Sequence, residues 1–134
     1  MTLTFDYKAF SIETQGKLLH GIVTGKIEKE DYDLLVPEAE RLINRYGKIR
    51  IFVELVDFKG WSAGALWEEC KLAYHHLKDV ERMAMVGDKT WEKGIALFMK
   101  PFVGAKLRYF DVSERSAAMD WINEGLATMD SDAA

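Results

Sequence analysis

The stretch from Ile49 to Trp67 reads Ile-Arg-Ile-Phe-Val-Glu-Leu-Val-Asp-Phe-Lys-Gly-Trp-Ser-Ala-Gly-Ala-Leu-Trp. Residues 49–56 are mostly β-branched, aromatic or aliphatic, which is typical of a central strand that is covered on both faces of a sheet. Ser62 follows as a candidate N-cap, because a serine oxygen accepts hydrogen bonds from the free N–H groups of a first helical turn. Apolar side chains then recur at helical spacing as far as Leu77. The stretch therefore predicts a central strand that leads directly into a helix.

The sequence before this stretch begins with a predicted β-hairpin. Residues 3–12 alternate between apolar and polar side chains, which is the period of a strand. Residues 14–17 have the composition of a turn, and residues 18–24 predict a second strand that ends at Gly25.

A helix is predicted between this hairpin and the central strand. Residues 29–46 place their apolar side chains on one face, and Gly47 is well placed as the C-terminal cap. Pro37 lies inside the pattern and is expected to kink the helix or to split off its first turn, because proline lacks the N–H that a helix interior needs.

The remaining sequence alternates between strands and helices. Residues 82–86 predict a short strand, Thr90 caps a third helix, residues 106–110 predict the last strand, and Asp111 or Ser113 starts a final helix. Strands that alternate with helices imply right-handed crossovers and a largely parallel sheet, which the N-terminal hairpin makes mixed. We therefore predict one α/β domain over residues 1–134, with about five strands and four helices.

Composition excludes several classes of protein. The chain has 134 residues, of which 49% are apolar and 30% charged, so it is long and apolar enough for one core. Its net charge of −4 argues against nucleic-acid binding, which needs a basic face. Cys70 is the single cysteine, so no intrachain disulfide forms. No signal peptide or spanning segment is visible, and the predicted location is the cytoplasm, with peripheral attachment to a membrane as an option.

Several motifs in this sequence resemble the SpoIIAA-like family, whose members share the STAS fold of anti-sigma-factor antagonists. The resemblance rests on G-K-I-x-x-E-D-Y at 25–32, on G-K-I-R at 47–50, and most of all on D-F-K-G-W-S-A-G-A-L-W at 57–67. It implies a mixed sheet flanked by helices and no established enzymatic activity. Roles suggested for the family are regulatory protein binding, or binding of small apolar ligands and membranes through similarity to lipid-carrier folds.

Residues 60–64 match G-x-S-x-G, the motif in which some hydrolases present a nucleophilic serine between a strand and a helix. Catalysis would require a histidine base beside Ser62. His75 and His76 lie along the same predicted helix, roughly 20 Å away at ~1.5 Å per residue. His20 precedes the motif, against the usual order of hydrolases. A helix N-cap between glycines that permit a tight turn and close packing is the favoured interpretation, and a serine hydrolase using Ser62 is a remote alternative.

Ser62 is also a candidate phosphosite. In partner-switching STAS proteins a serine at this helix start is phosphorylated, and the resemblance implies the same position here. A phosphate is electrostatically well placed at a helix N-terminus. The sequence departs from the Asp-Ser-Ser/Thr-Gly pattern of those antagonists, because Trp61 and Ala63 flank the serine.

The carboxyl ends of the parallel strands form the second candidate site, since open α/β sheets bind ligands at that edge. Aromatic rings from two neighbouring turns are predicted to wall an apolar cleft, with polar groups that fix orientation. The alternative is that the rings fill the core, which is the favoured interpretation for Trp67. The predicted cleft residues are Phe58, Trp61, Ser62, Asp88 and Trp91.

The third predicted helix carries a broad apolar stripe flanked by lysines, which is a pattern found on interfacial helices. The favoured interpretation is an ordinary helix packed on the sheet. The alternative is a helix that docks its apolar face on lipid, an apolar ligand or a second subunit. The stripe consists of Trp91, Ile95, Phe98 and Phe102.

Other chemistry is only weakly indicated. Glu54 is either a partly buried acid or the partner of a lysine or arginine near a strand end. Cys70 and the neighbouring histidines match no metal-ligand spacing, and no phosphate-binding glycine motif occurs, so no metal and no cofactor are predicted.

Three functional classes follow from these observations. The first is a non-enzymatic module that binds a small apolar ligand or a membrane surface through the aromatic cleft and the third helix. The alternative is a regulatory protein-interaction module of the anti-sigma-antagonist type. The remote alternative is the serine hydrolase. Self-association as a homodimer stays open for each of them, because edge strands and the third helix offer apolar surface.

Overall fold

The computed structural model describes residues 2–6, 10–65, 67–68, 71, 77–88 and 107–126. Its strands are β1 (Thr2–Asp6), β2 (Phe10–Gln15), β3 (Leu18–Ile27), β4 (Ile49–Trp61), β5 (Val80–Gly87) and β6 (Leu107–Asp111). Its helices are α1 (Lys29–Tyr46) and α2 (Arg115–Ile122), with short 3-10 helices at Leu77–Asp79 and Val112–Glu114. Residues 63–65, 67–68 and 71 are also helical and belong to the second predicted helix, whereas the third predicted helix lies outside the described residues.

The six strands form one mixed sheet in the order β1-β2-β3-β4-β5-β6. The first three strands are antiparallel, and β3, β4, β5 and β6 run parallel to their neighbours. This confirms the predicted α/β class, with an N-terminal antiparallel part followed by parallel crossover strands and with β4 at the centre of the parallel part.

The N-terminal part differs in detail from the prediction. The single strand predicted over residues 3–12 is in fact two strands, β1 and β2, which pair with each other. Alternation continues across a reversal of the chain because the side-chain period is the same on both sides of it. The prediction that Gly25 ends the next strand is also wrong, because β3 continues through this residue to Ile27. Gly25 instead marks a register shift against β4.

Helix α1 has the predicted bounds. Glu28 and Asp31 form a reciprocal capping box at its start, with Glu28 N–H donating to Asp31 Oδ2 at 2.7 Å. Gly47 closes its end as predicted, with its N–H donating to the Ile43 carbonyl at 2.8 Å. Pro37 does not split off the first turn, and the helix is continuous through it. Among the described helices, none is both long and apolar enough to cross a bilayer.

Helix α1 covers one face of the sheet, which we call the α1 face. Alternate residues of β2, β3 and β4 point towards the helix and bury their aliphatic side chains against it, as expected from the two-residue period of a strand. The centre of this core consists of Ile12, Leu19, Ala39, Leu42 and Ile49.

Helix α2 covers the opposite face, which we call the α2 face. Asp111 caps the preceding 3-10 helix by accepting from Ser113 N–H at 2.9 Å, so both predicted start residues take part. Ala118 and Ile122 are fully buried against the sheet. The rest of this core consists of Leu18, Phe52, Ala84, Val86, Phe110 and Leu126.

An irregularity in β4 exchanges the two faces along the strand. Asp57 has a φ of 53°, in the left-handed region, and the register against β3 shifts at this point. The extra residue of such a bulge reverses the alternation beyond it. Leu55 and Phe58 therefore both contact the α1-face core although they are three residues apart. Phe58 is 1% exposed, so the expectation that it lies in a turn at the surface is wrong.

Candidate functional site

The end of β4 and the helix after it form the first candidate site, and Gly60 is the next-to-last residue of the strand, where it pairs with Lys26. The φ of Gly60 is 97°, which side chains with a Cβ rarely adopt. Trp61 then pairs with Ile27 as the last residue of β4, and Ser62 N–H donates to the Ile27 carbonyl at 2.9 Å. The serine is thus held at the carboxyl end of the parallel strands, where the sequence placed it.

Ser62 is the N-cap of the helix, as predicted. Its Oγ accepts from Ala65 N–H at 3.2 Å, which satisfies one of the free donors of the first turn. Gly64 lies against Lys29, because a Cβ at this glycine would come within 3.3 Å of Lys29 Cβ. The two glycines of the G-x-S-x-G motif therefore serve a positive φ at the end of β4 and a close approach to α1.

Ser62→Ala is expected to lower the free energy of unfolding by about 1 kcal/mol, because Ala65 N–H loses its acceptor. Ser62→Asp is expected to retain the wild-type value, since aspartate caps as well as serine and its charge is favourable at a helix N-terminus. Urea unfolding followed by circular dichroism measures both. Equal losses in the two variants would contradict the capping role.

Trp67 is exposed, and the prediction that it lies in the core is wrong. Its residue surface is 66% exposed, whereas Ala65 is fully buried against Ile27 and Phe58. Positions 65 and 67 lie about 160° apart around a helix, so burial of one turns the other towards solvent. Ala63 and Lys71 are also exposed and share the Trp67 side through their four-residue spacing. We call Ala63, Trp67 and Lys71 the outer stripe.

The structure separates Ser62 from His20, the one histidine whose side chain is described. His20 lies seven residues before Ile27 in β3, which places it roughly 20 Å along the strand from Ser62. His20 is therefore not positioned to act as a base for this serine. His75 and His76 lie outside the described residues.

The predicted aromatic cleft is described only in part. Phe58 is enclosed in the α1-face core, so it does not form a cleft wall. Trp61 has a described backbone in β4, and Asp88 is an exposed residue directly after β5. The remaining predicted ligand-binding residues, Trp91, Ile95, Phe98 and Phe102, lie outside the described residues.

A charged cluster that the sequence did not predict lies on the α2 face. Glu54 Oε2 lies 2.5 Å from His20 Nε2, and Arg115 Nη2 donates to the same oxygen at 3.1 Å. Burial alone would raise the pKa of Glu54, but hydrogen bonds from Arg115 and His20 outweigh it and lower the pKa below its usual value. The ionised carboxylate only accepts, so His20 Nε2 carries the hydrogen.

This cluster joins three elements. His20 belongs to β3 and Glu54 to β4, and Arg115 is the first residue of α2. The ion pairs therefore fix the start of the helix on the sheet. Glu54 is partly buried and also meets an arginine, so both interpretations are correct in part, but it lies in the interior of β4 and not near a strand end. Arg115 lies 61 residues away in sequence, and no local spacing predicts such a contact.

No metal centre is formed within the described ranges. Among these residues, histidine, cysteine and carboxylate side chains do not gather in a group of three or more that could hold an ion. Glu54 and Glu81 are instead each paired with basic side chains, Glu54 with His20 and Arg115, and Glu81 with Lys17 and Arg50.

Comparisons with known proteins agree on the fold. A family model described as SpoIIAA-like matches residues 18–123. The chain is similar to the crystal structure of an uncharacterized protein of the DUF3478 family with a SpoIIAA-like fold from Shewanella loihica PV-4, with a TM-score of 0.71 and 22% identity over 90% of this chain and 98% of that chain. At this identity the likeness concerns the fold alone. Among curated proteins, none matches the sequence.

Proposed function

Because the chain belongs to the SpoIIAA-like family, we propose that it is a non-enzymatic, protein-binding regulatory module that docks a partner on the outer stripe of the helix beginning at Ser62. We favour protein interaction over an apolar ligand because two aromatic side chains lie opposite to their predicted positions. Phe58 lies in the core, whereas Trp67 lies at the surface.

The exposed indole of Trp67 carries the proposal. A tryptophan that is 66% exposed leaves a large apolar surface in water, and its burial in a complex would recover that free energy. Tryptophan is also among the residues that contribute most to binding energy at protein interfaces. Ala63 beside it is small enough to let a partner approach the helix closely, and Lys71 forms an ion pair with Glu68 at 3.0 Å at the rim.

The position of the helix is fixed, which favours docking without rearrangement. Ala65 is fully buried between α1 and β4, and Gly64 approaches Lys29 closely. A rotation that buried Trp67 would bring Ala65 into solvent and move Gly64 away from α1. The outer stripe is therefore presented as a preformed surface, which reduces the entropy lost on binding.

Ser62 offers a means of regulating this surface, and it remains the candidate phosphosite. Its hydroxyl lies at the start of the helix that carries Trp67. The exposed Lys29 side chain contacts the position of Gly64 in the first turn of this helix. A phosphate on Ser62 would lie at the helix N-terminus on the same side of the sheet as this lysine, while adding about two negative charges beside the docking surface.

The test replaces Trp67 with the photo-crosslinking residue p-benzoylphenylalanine in cells that carry the native gene. We expect irradiation to give one discrete protein adduct at this position. The matched control places the same residue at Tyr46, which is 37% exposed at the end of α1 and should give no adduct of that mass. The same adduct from both positions, or none from position 67, would contradict docking on the outer stripe.

Two further measurements separate the alternatives. Ser62→Asp in the crosslinking protein should remove the adduct if phosphorylation controls docking, and an unchanged adduct would count against the phosphosite. The hypothesis of an apolar ligand or membrane surface predicts a bound small molecule in native mass spectrometry or flotation with liposomes. Either result, combined with no adduct at position 67, would favour that hypothesis.

A further inference from the structure

Arg108 is an exposed arginine in the edge strand β6, and its position is fixed by two aromatic rings. Its guanidinium carbon lies 5.2 Å from the ring centre of Phe110 and 5.2 Å from that of Trp121. Phe110 follows two residues later on the same side of the strand, and Trp121 comes from α2. Stacking on rings orients a guanidinium while leaving its N–H groups at the plane edge available for an anion.

Arg108 differs from the other arginines of the chain in its polar partners. Within the described ranges it forms no ion pair, and its described contacts are with rings. Each of the others donates to a nearby side-chain oxygen. These pairs are Arg41 with Glu38, Arg45 with Tyr46, Arg50 with Glu81, Arg82 with Glu124, and Arg115 with Glu54.

The edge of β6 adds a second binding element beside this guanidinium. β6 is last in the strand order and pairs with β5 on one side, so its other side has no strand partner among the described residues. An extended chain that adds to such an edge forms main-chain hydrogen bonds with it. The side chain opposite Arg108 on that added chain would lie on the α2 face, about 5 Å away between Cβ atoms.

We propose that β6 receives an extended acidic peptide segment of a protein partner as an additional strand, with a carboxylate side chain opposite Arg108. The carboxylate is the anion whose two oxygens match the fork of a guanidinium. A nucleic acid or an anionic lipid surface would require several cations, and this chain has a net charge of −4. The site lies on the α2 face, so it is independent of the outer stripe, whose helix packs on the α1 face.

The experiment measures binding of a fluorescein-labelled peptide of alternating Glu and Val to the full chain by fluorescence anisotropy. We expect saturable binding that Arg108→Met weakens by about tenfold or more, which is the usual contribution of a charge-assisted pair. Arg45→Met is the matched control, because Arg45 is also exposed and stacks on a ring, with 5.5 Å to the Tyr46 centre. It should leave the affinity unchanged.

Two variations of the probe separate strand addition from simple anion binding. N-methylation of alternate peptide bonds keeps the carboxylates but removes main-chain donors, and we expect it to abolish binding. Arg108→Glu should lose the acidic peptide and gain the corresponding peptide of alternating Lys and Val. Equal binding of the methylated peptide, equal binding by Arg108→Met, or no binding by the wild-type chain would each overturn the proposal.

Discussion

Phe58→Ala is expected to lower the free energy of unfolding by about 3–5 kcal/mol, which is the usual loss when a buried phenylalanine is truncated. The ring is 1% exposed and packs between Ile27, Tyr32 and Ala65, so its removal leaves a cavity where α1 and the Ser62 helix meet the sheet. The fully buried Ala65 and the capped Ser62 turn leave this junction little room to collapse into the cavity. We therefore expect the loss to fall within the full range for a core aromatic.

Trp67→Ala is the matched control for this prediction. It removes a larger ring from a position that is 66% exposed, so the loss of stability should stay below about 1 kcal/mol. Urea unfolding of both variants by far-ultraviolet circular dichroism gives the comparison without relying on tryptophan fluorescence. A Phe58→Ala variant as stable as the wild type would place the ring outside the core and would restore it as a wall of the aromatic cleft.

The difference between these two aromatic residues also defines what the sequence could predict. The run of β-branched and aromatic residues predicts β4 as far as Val56, because such residues favour a strand covered on both faces. The strand in fact continues to Trp61, and beyond Asp57 a bulge adds a residue and turns Phe58 to the α1 face. A positive φ at an aspartate has no counterpart in a pattern of apolar and polar residues, so sequence periodicity alone gives no sign of this change.

The predicted orientation of the helix after Ser62 is wrong for a different reason. Its start was predicted because an N-cap is a local feature of one side chain and the next three residues. Its orientation was not, because apolar residues occupy several sides of the helix and the spacing fits more than one buried face. The close approach of Gly64 to Lys29 and the burial of Ala65 select the face, and both depend on α1.

The partners within the charged clusters could not be predicted from the sequence. Glu54 stands out in the sequence as a charge within an apolar strand, but its partner Arg115 is 61 residues away and is brought to it by the connection from β6 into α2. Arg50 is a similar case. It is 9% exposed within the same strand, and its partners come from β5 and from the residues around the end of α2.

Arg50→Met is expected to lower the free energy of unfolding by about 2–3 kcal/mol, because the buried guanidinium donates charge-assisted hydrogen bonds, whereas Glu81 is 32% exposed in its side chain and keeps its ion pair with Lys17. Arg50 Nε donates to Glu81 Oε2 at 2.6 Å, and its Nη1 donates to the Ile122 carbonyl at 3.1 Å and to the Glu124 carbonyl. Methionine preserves most of the side-chain length, so the loss reports the missing hydrogen bonds. Arg41→Met is the control, because its pair with Glu38 lies on the surface and contributes at most about 0.5 kcal/mol.

The dependence of this loss on pH identifies its cause. Burial alone would raise the pKa of Glu81, but hydrogen bonds from Arg50 and Lys17 outweigh it and lower the pKa. A carboxyl whose pKa is lowered on folding stabilises the protein above its unfolded pKa, and this contribution disappears as the pH falls through the folded pKa. The difference in the free energy of unfolding between wild type and Arg50→Met should therefore be largest near neutral pH and shrink in acid.

The hydrogen bonds from Arg50 to the two carbonyls do not titrate, so part of this free-energy difference should persist at low pH. A difference that stayed constant would assign the whole effect to those carbonyls and to packing, and none to Glu81.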